Sequence, residues 1–480
     1  MKVNLPPKYL IFASQFTLES IIKNICIIAF DAFRKSKNGL DFIKKQYYYR
    51  RKDGELYSVD VIQTWLVDLL YKLIKYNYFG NKIISIDETL FLINLFIPDE
   101  KSFKGCEYSE IFLTVFAMFG EQYRIETYNY FLDDFVREKY ILDVISKKEK
   151  EYSINISDEF KQETGYSTDE YSTFIATIWG FCMSQNCIIS PSTLNINFKN
   201  PMFNNESILN IVNRYSLTIE EIRKSNLKRQ VFYSYPFIKI DDEYLSVSPY
   251  LLMFWFSNSN YWVMRNLYLK RKSQDFINAF GKYFELYVEE MFHNCLSEND
   301  FCRIQEDKQK RADWKLTLFG KDILIEQKST ISNIGIKQNH PDIDAFKNYI
   351  LKTWKRAALQ LLSTEKDLNL KEPIKIILIY EDYYKSECLD ELFEIDTALV
   401  NDRRYWLVTI RELEMFLMLY KNDAKKAETV FKRKCQAEAS HDMNGRGLIK
   451  FLEEEKVSRK EYLSKFGIYD MWEKTIDILK

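Results

Sequence analysis

The chain has 480 residues, 68 basic and 69 acidic side chains, and a formal net charge of −1. A hydrophobic share of 46% is ample for packed cores and excludes bulk disorder, while 13 glycines and 9 prolines are too few for an all-β protein of many tight turns. Three histidines nearly exclude a His-rich metal site, and the balanced charge by itself gives no sign of a nucleic-acid partner.

In chain order, the N-terminus opens on Met1-Lys2-Val3-Asn4-Leu5-Pro6-Pro7, and its apolar stretches are soon broken by polar residues, so no secretory signal is expected. No run approaches about 18 uncharged apolar residues, so no membrane-spanning helix is expected. The eight cysteines form no C-x-x-C and read as buried free thiols in a reducing cytoplasm.

Residues 1–228 read as a mainly helical region. Leu18, Ile21, Ile22, Ile25 and Phe30 stand at helical spacing over 17–34, as do Val61, Trp65, Leu66, Leu69, Leu70 and Leu73 over 60–76. Ser167-x-x-Glu170 and Thr218-x-x-Glu221 are capping boxes, each preceding a helix. A β-hairpin with an Asp-Gly turn interrupts the pattern over 46–57. Eight cations crowd residues 34–52, Arg34, Lys35, Lys37, Lys44, Lys45, Arg50, Arg51 and Lys52, against Asp41 alone. Interleaved with Tyr47, Tyr48 and Tyr49, they could hold phosphates and stack bases, or simply form a solvated basic surface.

Residues 229–268 read as a second hairpin around Asp241-Asp242 and a linker. Residues 269–420 read as an α/β domain. A helix over 275–292 carries Phe276, Phe280, Phe284, Val288 and Phe292. Strands follow at 301–305, 313–318 and 323–328, then a helix over 344–363, a strand at 374–380, and a strand at 405–410 leading into a helix. Residues 421–480 are a charged helical extension. Two further basic runs, Lys270-Arg271-Lys272 and the six cations of 421–435, could line a duplex through its phosphates.

The informative stretch is 311–328. From Asp313 to Leu318 polar and apolar residues alternate, and the next strand places Leu324, Glu326 and Lys328 on one face. A two-residue turn at Phe319-Gly320 sets Asp313 opposite Glu326. A turn at Gly320-Lys321 sets it opposite Lys328. Cross-strand neighbours lie about 5 Å apart, so either turn converges Asp313, Glu326 and Lys328, whereas a three-residue turn flips one strand and scatters them. Two carboxylates and an ammonium suit a hard cation such as Mg²⁺; the plain alternative is a surface salt bridge.

This context resembles the PD-(D/E)XK nuclease superfamily over residues 270–420, about a third of the chain. The resemblance implies an α+β or α/β fold with a restriction-endonuclease-like core, a helix, a mixed sheet and a helix, flanked here by a large helical N-terminal region and a short helical C-terminal tail. It implies a Mg²⁺-dependent phosphodiesterase, with Mn²⁺ as the alternative ion, acting on DNA ahead of RNA. The catalytic set would be Asp313, Glu326, Lys328, Glu285 from Gly281-Lys-Tyr-Phe-Glu285, and Gln360 from Arg356-Ala-Ala-Leu-Gln360. The metal ligands would be Asp313, Glu326, Glu285 and the Gln327 backbone carbonyl. Lys44, Lys45, Arg50, Arg51, Lys52, Lys270, Arg271 and Lys272 are the candidate nucleic-acid contacts. Ala312 stands where the family has proline, and Thr364 follows Gln360 where the RecB-like Q-x-x-x-Y pattern has tyrosine. The fold's common use with appended recognition domains suggests defence against foreign DNA. The rival expectations are a non-cleaving nucleic-acid-binding protein on the same fold, and a sensor or assembly protein whose helical region binds a protein partner or a second copy. No Walker-type phosphate loop is present.

Overall fold

The structure, a computed structural model, describes residues 6–36, 44–96 except 52, 131–184 except 153, 187–194, 204–227, 230–305, 311–332, 343–381, 386, 389, 402, 404–440, 446–457, 462 and 464. Among the described residues no helix is long and apolar enough to cross a membrane.

Helix α1 (Leu18–Arg34) starts where Thr17 accepts the Ser20 N–H, and buries Leu18, Ile21, Ile22, Ile25 and Phe30. Helix α2 (Gln63–Lys75) packs on it. Between them the hairpin pairs β1 (Lys44–Arg50) with β2 (Leu56–Ile62). It runs further than 46–57, because Val59 and Val61 continue the inward alternation before the helix can begin. Both expected capping boxes form. Glu170 and Ser167 exchange bonds of 2.7 and 3.2 Å, and Glu221 and Thr218 bonds of 2.8 and 3.3 Å. Helix α3 (Phe131–Asp143) and helix α4 (Thr168–Ser184) complete this side.

Residues 229–268 are more than a hairpin and linker. Strands β5 (Phe237–Ile240) and β6 (Glu243–Ser246) sit in a four-stranded sheet with the short strands β3 (Ile188–Ile189) and β4 (Ser216–Thr218), in the order β3-β6-β5-β4. Helices α5 (Pro249–Ser257) and α6 (Ser259–Lys270) follow, with Leu251, Leu252, Phe256 and Met264 fully buried. Helix α5 is apolar almost throughout, whereas α6 mixes buried polar residues such as Ser259 and Asn260 with its apolar ones, so neither shows a clean polar face.

The third sheet is mixed and ordered β11-β10-β9-β8-β7: β7 (Phe301–Arg303), β8 (Trp314–Leu318) and β9 (Lys321–Lys328) are antiparallel, and β10 (Ile374–Ile379) and β11 (Tyr405–Thr409) run parallel to β9. Its faces follow the period of two. Trp314, Leu316, Ile323, Ile325, Ile376 and Val408 enter one large core, against helix α7 (Asp275–Cys295) and helix α10 (Ile410–Asn422). Leu324, Ile377, Ile379 and Leu407 enter a second core under helices α8 (Ile343–Ile350) and α9 (Arg356–Asp367). A widened π turn, Leu351–Lys355, joins those two helices and buries Trp354. The larger core contains Ile25, Leu251, Trp314 and Phe431, so all four segments read from the sequence share it. Phe431 belongs to helix α11 (Ala424–Ser440) of the C-terminal extension.

The β8–β9 turn is the two-residue one, Phe319-Gly320, pairing Leu318 with Lys321. Both turn residues have positive φ, 52° and 71°. A phenylalanine there is unusual, and Phe319 is held by rings of Tyr420 at 5.6 Å and Phe431 at 5.4 Å. Gly320→Val should destabilise the chain by about 1–2 kcal/mol, since a β-branched residue must hold a left-handed conformation. Urea denaturation would check it; an unchanged midpoint would show that the turn can re-form in another conformation.

Candidate active site

Strand alternation places Leu324, Glu326 and Lys328 on the α9 side of β9. The pairing of Trp314 with Ile325, continued one step, sets Asp313 beside Glu326, and the Asp313 N–H donates to the Ile325 carbonyl at 3.0 Å. Thr364, on α9, accepts the neighbouring Ala312 N–H at 2.8 Å and so fixes the approach to Asp313. The Lys328 ammonium donates to Glu326 and, at 3.3 Å, to Gln360 Oε1, while Gln360 Nε2 reaches the Arg311 carbonyl at 3.4 Å. Asp313, Glu326, Lys328 and Gln360 thus stand where one sheet end meets one helix. Glu326 is buried and Lys328 half-buried.

Glu285 comes from α7 on the opposite side. One turn earlier, Gly281 lies beside Ser329, just beyond β9, where a Cβ would stand at an ordinary contact distance of 3.5 Å from Ser329 Oγ. The Glu285 carboxylate is clamped by Lys282 at 3.0 Å and by Arg303. Neither cation was singled out in the sequence. Lys282 is legible in hindsight, three residues before Glu285 on one helix face. Arg303 is not, because only the β7–β8 register sets it beside Trp314.

The Asp313 carboxyl is pushed up from 3.8 to about 6. Burial is the main cause, and the negative charge of Glu285 adds to it. The Gln327 N–H bond, at 2.7 Å, and the charges of Lys328 and Lys282 pull the other way. The sign of the stability effect follows. The protonated form is favoured in the native state, so its contribution is full below about 3.8 and is lost as pH rises through about 6. In EDTA, Asp313→Asn should therefore gain stability over the parent between pH 4 and 6.5 and keep a constant lead above that window. Denaturation midpoints at stepped pH would test this, and two parallel curves would count against it.

The donors are hard oxygens, and a carboxylate held against its own ionisation gains from a cation beside it, so Asp313 and Glu326 fit Mg²⁺ in chemistry. Among the described residues, no three of His, Cys, Asp and Glu stand close enough together to hold a metal ion. Glu285, expected as a third ligand, is turned onto Lys282 and Arg303 instead. At Gln327 the side chain accepts the Trp314 indole N–H at 3.2 Å, on the face away from Glu326.

The candidate nucleic-acid cations divide by strand face. Lys44 and Arg50 share the exposed hairpin face with Tyr48. Lys44 pairs with Asp60 at 2.9 Å, and Arg50 bonds the Gly54 carbonyl at 3.4 Å. Lys45 takes the inner alternation and bonds the Lys35 carbonyl at 2.9 Å. Arg51 stacks on Tyr57 and Phe91. Lys270 and Arg271 pair with Glu163 and Glu159 at 2.7 and 2.6 Å; Lys272, with a φ of 55°, is exposed. Lys52 and Lys37 lie outside the described residues. In the C-terminal run, Lys434 is fully buried against Ser386, Glu438 and the Arg446 carbonyl, so it braces the fold and faces no duplex. Cys26, Cys182 and Cys187 are buried, and burial pushes all three thiols up in pKa, whereas Cys302 is exposed against expectation.

No family model, curated protein or solved structure matches this chain.

Proposed function

We propose that the chain is a Mg²⁺-dependent nuclease, with Mn²⁺ as the alternative ion, that hydrolyses phosphodiester bonds of DNA ahead of RNA. The observation that carries this reading is the β8–β9 register, which lines up Asp313, Glu326 and Lys328, with Gln360 reaching them from α9. When bound, the cation would polarise a phosphoryl oxygen and make hydroxide available at neutral pH. Asp313 and Glu326 would hold it, with the Gln327 carbonyl as a main-chain donor. Lys328, oriented by Glu326 and Gln360, would donate to the attacking water or to oxygen gaining charge. Glu285 would serve as a ligand only after leaving Lys282 and Arg303; in place, it raises the basicity of Asp313. Lys44, Arg50 and Lys270–Lys272 would reach phosphates by exchanging their present partners. Work in the cytoplasm, in defence against foreign DNA, belongs to the same proposal.

A second reading has its own observation. Asp313, Glu326 and Glu285 stand against Lys328, Lys282 and Arg303, three charges against three, so the cluster needs no cation to balance it. That favours a non-cleaving nucleic-acid binder, or a sensor or assembly protein that binds a partner or a second copy through residues 1–228. Incubation of single- and double-stranded DNA and RNA with Mg²⁺ or Mn²⁺, reversed by EDTA, separates the readings. Metal-dependent cleavage supports the first; binding without cleavage on every substrate overturns it.

A further inference from the structure

A cavity of about 490 Å³ is lined by helices α5 and α6, the start of α7 and the chain just beyond β9. That is within the range of small-molecule sites, roughly 300–1,000 Å³. Phe254 and Trp255 of α5, Tyr261 and Trp262 of α6, and Tyr233 before them give it aromatic walls. Trp255 and Tyr261 are nearly fully buried. Its polar equipment is unbalanced. Among the described lining residues Arg265 is the only charged one, and none is a carboxylate. Arg265 Nη1, the Trp255 indole nitrogen and the Ser259 hydroxyl are buried without a hydrogen-bond partner among the described residues. A buried donor left unmet costs about 1–3 kcal/mol, and this wall holds three such groups at once.

We infer that this cavity binds a nucleotide, its base between the aromatic rings and its phosphate on Arg265. The walls offer π faces, and stacking a base on an aromatic ring is worth about 1–3 kcal/mol. A guanidinium is the side chain best matched to phosphate oxygens. An indole N–H and a hydroxyl beyond it exceed what a simple aromatic carboxylate would satisfy, and base nitrogens and carbonyls supply the acceptors. An aromatic amino acid fits worse, because its ammonium group would find no carboxylate among the described lining residues.

The cavity is also lined by the chain segments that carry two of the candidate site residues. Thr330 and Ile331 line it, two and three residues beyond Lys328, and so does Ile277, one turn before Gly281 on the helix that carries Glu285. A ligand there bears on both segments, so occupancy should change the cleavage rate. This regulatory step rests on the nuclease reading; the binding step does not.

Calorimetric titration of the full chain with the four ribonucleoside 5′-monophosphates, their nucleosides and inorganic phosphate tests the binding. At least one monophosphate should bind with a Kd below about 100 μM, its nucleoside at least about tenfold more weakly. Arg265→Ala should weaken it at least about tenfold with an unchanged apo melting temperature, and Arg265→Lys should recover part of the loss. No heat from any monophosphate up to about 1 mM, equal affinity for the nucleoside, or equal affinity in Arg265→Ala each overturns the site. The same nucleotide is then added to the DNA cleavage assay. A changed rate supports the coupling, and an unchanged rate overturns it. Binding with no cleavage under any condition sinks the nuclease reading and leaves the site standing.

Discussion

Glu326→Gln is expected to lower Mg²⁺-dependent cleavage of DNA by about a thousandfold or more, with the fold intact. The substitution keeps the shape and removes the charge of a buried carboxylate that Lys328 donates to. Gln360 still accepts from that ammonium, so the lysine does not become an orphan. Lys328→Met and Asp313→Asn should each fall about as far, and any pair of the three should fall little further, because groups that act as one unit lose their effect together. A mere structural salt bridge predicts the reverse pattern. In that case Glu326→Gln would shift the denaturation midpoint and leave cleavage where it was. Initial rates on plasmid DNA over a Mg²⁺ series, alongside urea melts of the same preparations, decide between the two. Cleavage at parental rates in the Asp313→Asn/Lys328→Met double variant would end the assignment of this site.

The sheet that carries these residues was legible because its signals are local. Strict alternation from Asp313 to Leu318 and a Phe-Gly turn set the register to within two choices, and the pairing of Leu318 with Lys321 selects one. Local pattern also marked α7, whose phenylalanines recur every four residues. What stayed hidden depends on partners distant in sequence. Arg303 on Glu285, Thr364 on Ala312 and Arg265 in its cavity have neighbours that no spacing rule supplies. The helices α5 and α6 were missed for a related reason. Helix α5 is buried almost all round and α6 mixes polar and apolar residues, so both carry little of the polar–apolar period by which a surface helix is recognised. The basic hairpin was legible in charge and not in contacts. The eight cations are countable in the sequence, but it does not show that Lys45 bonds the Lys35 carbonyl or that Asp60 pairs with Lys44.

Glu414→Ala is expected to cost about 3–5 kcal/mol of folding stability. Glu414 lies on α10 and takes two bonds from Arg137 on α3, at 2.6 and 2.8 Å, and a third from the Tyr287 hydroxyl on α7, at 2.7 Å. Arg137 is 1% exposed and its carboxylate partner 3%. Burial by itself works against the charged guanidinium, and the Glu414 carboxylate outweighs it, holding Arg137 above its ordinary pKa. Asp134 accepts from Arg137 at 2.9 Å and from Arg411 at 3.0 Å, so it cannot take over the lost partner's two bonds. Truncating Glu414 therefore strands a cation in the core where the N-terminal helices meet the sheet's helices. Replacing both ends, Arg137→Met with Glu414→Leu, should recover most of the loss, since apolar packing of similar volume removes the desolvation penalty of both charges. Urea denaturation of the two singles and the double measures this directly, and a single-variant loss under about 1 kcal/mol would show that the ion pair is not what joins the halves. The same pair bears on the candidate site. Helix α7 carries Tyr287 two residues after Glu285, so loosening its anchor should also disorder the carboxylate that raises Asp313. In the Glu414→Ala background, the stability lead that Asp313→Asn gains between pH 4 and 6.5 should then be smaller but not abolished, because burial, the main cause of the Asp313 shift, remains.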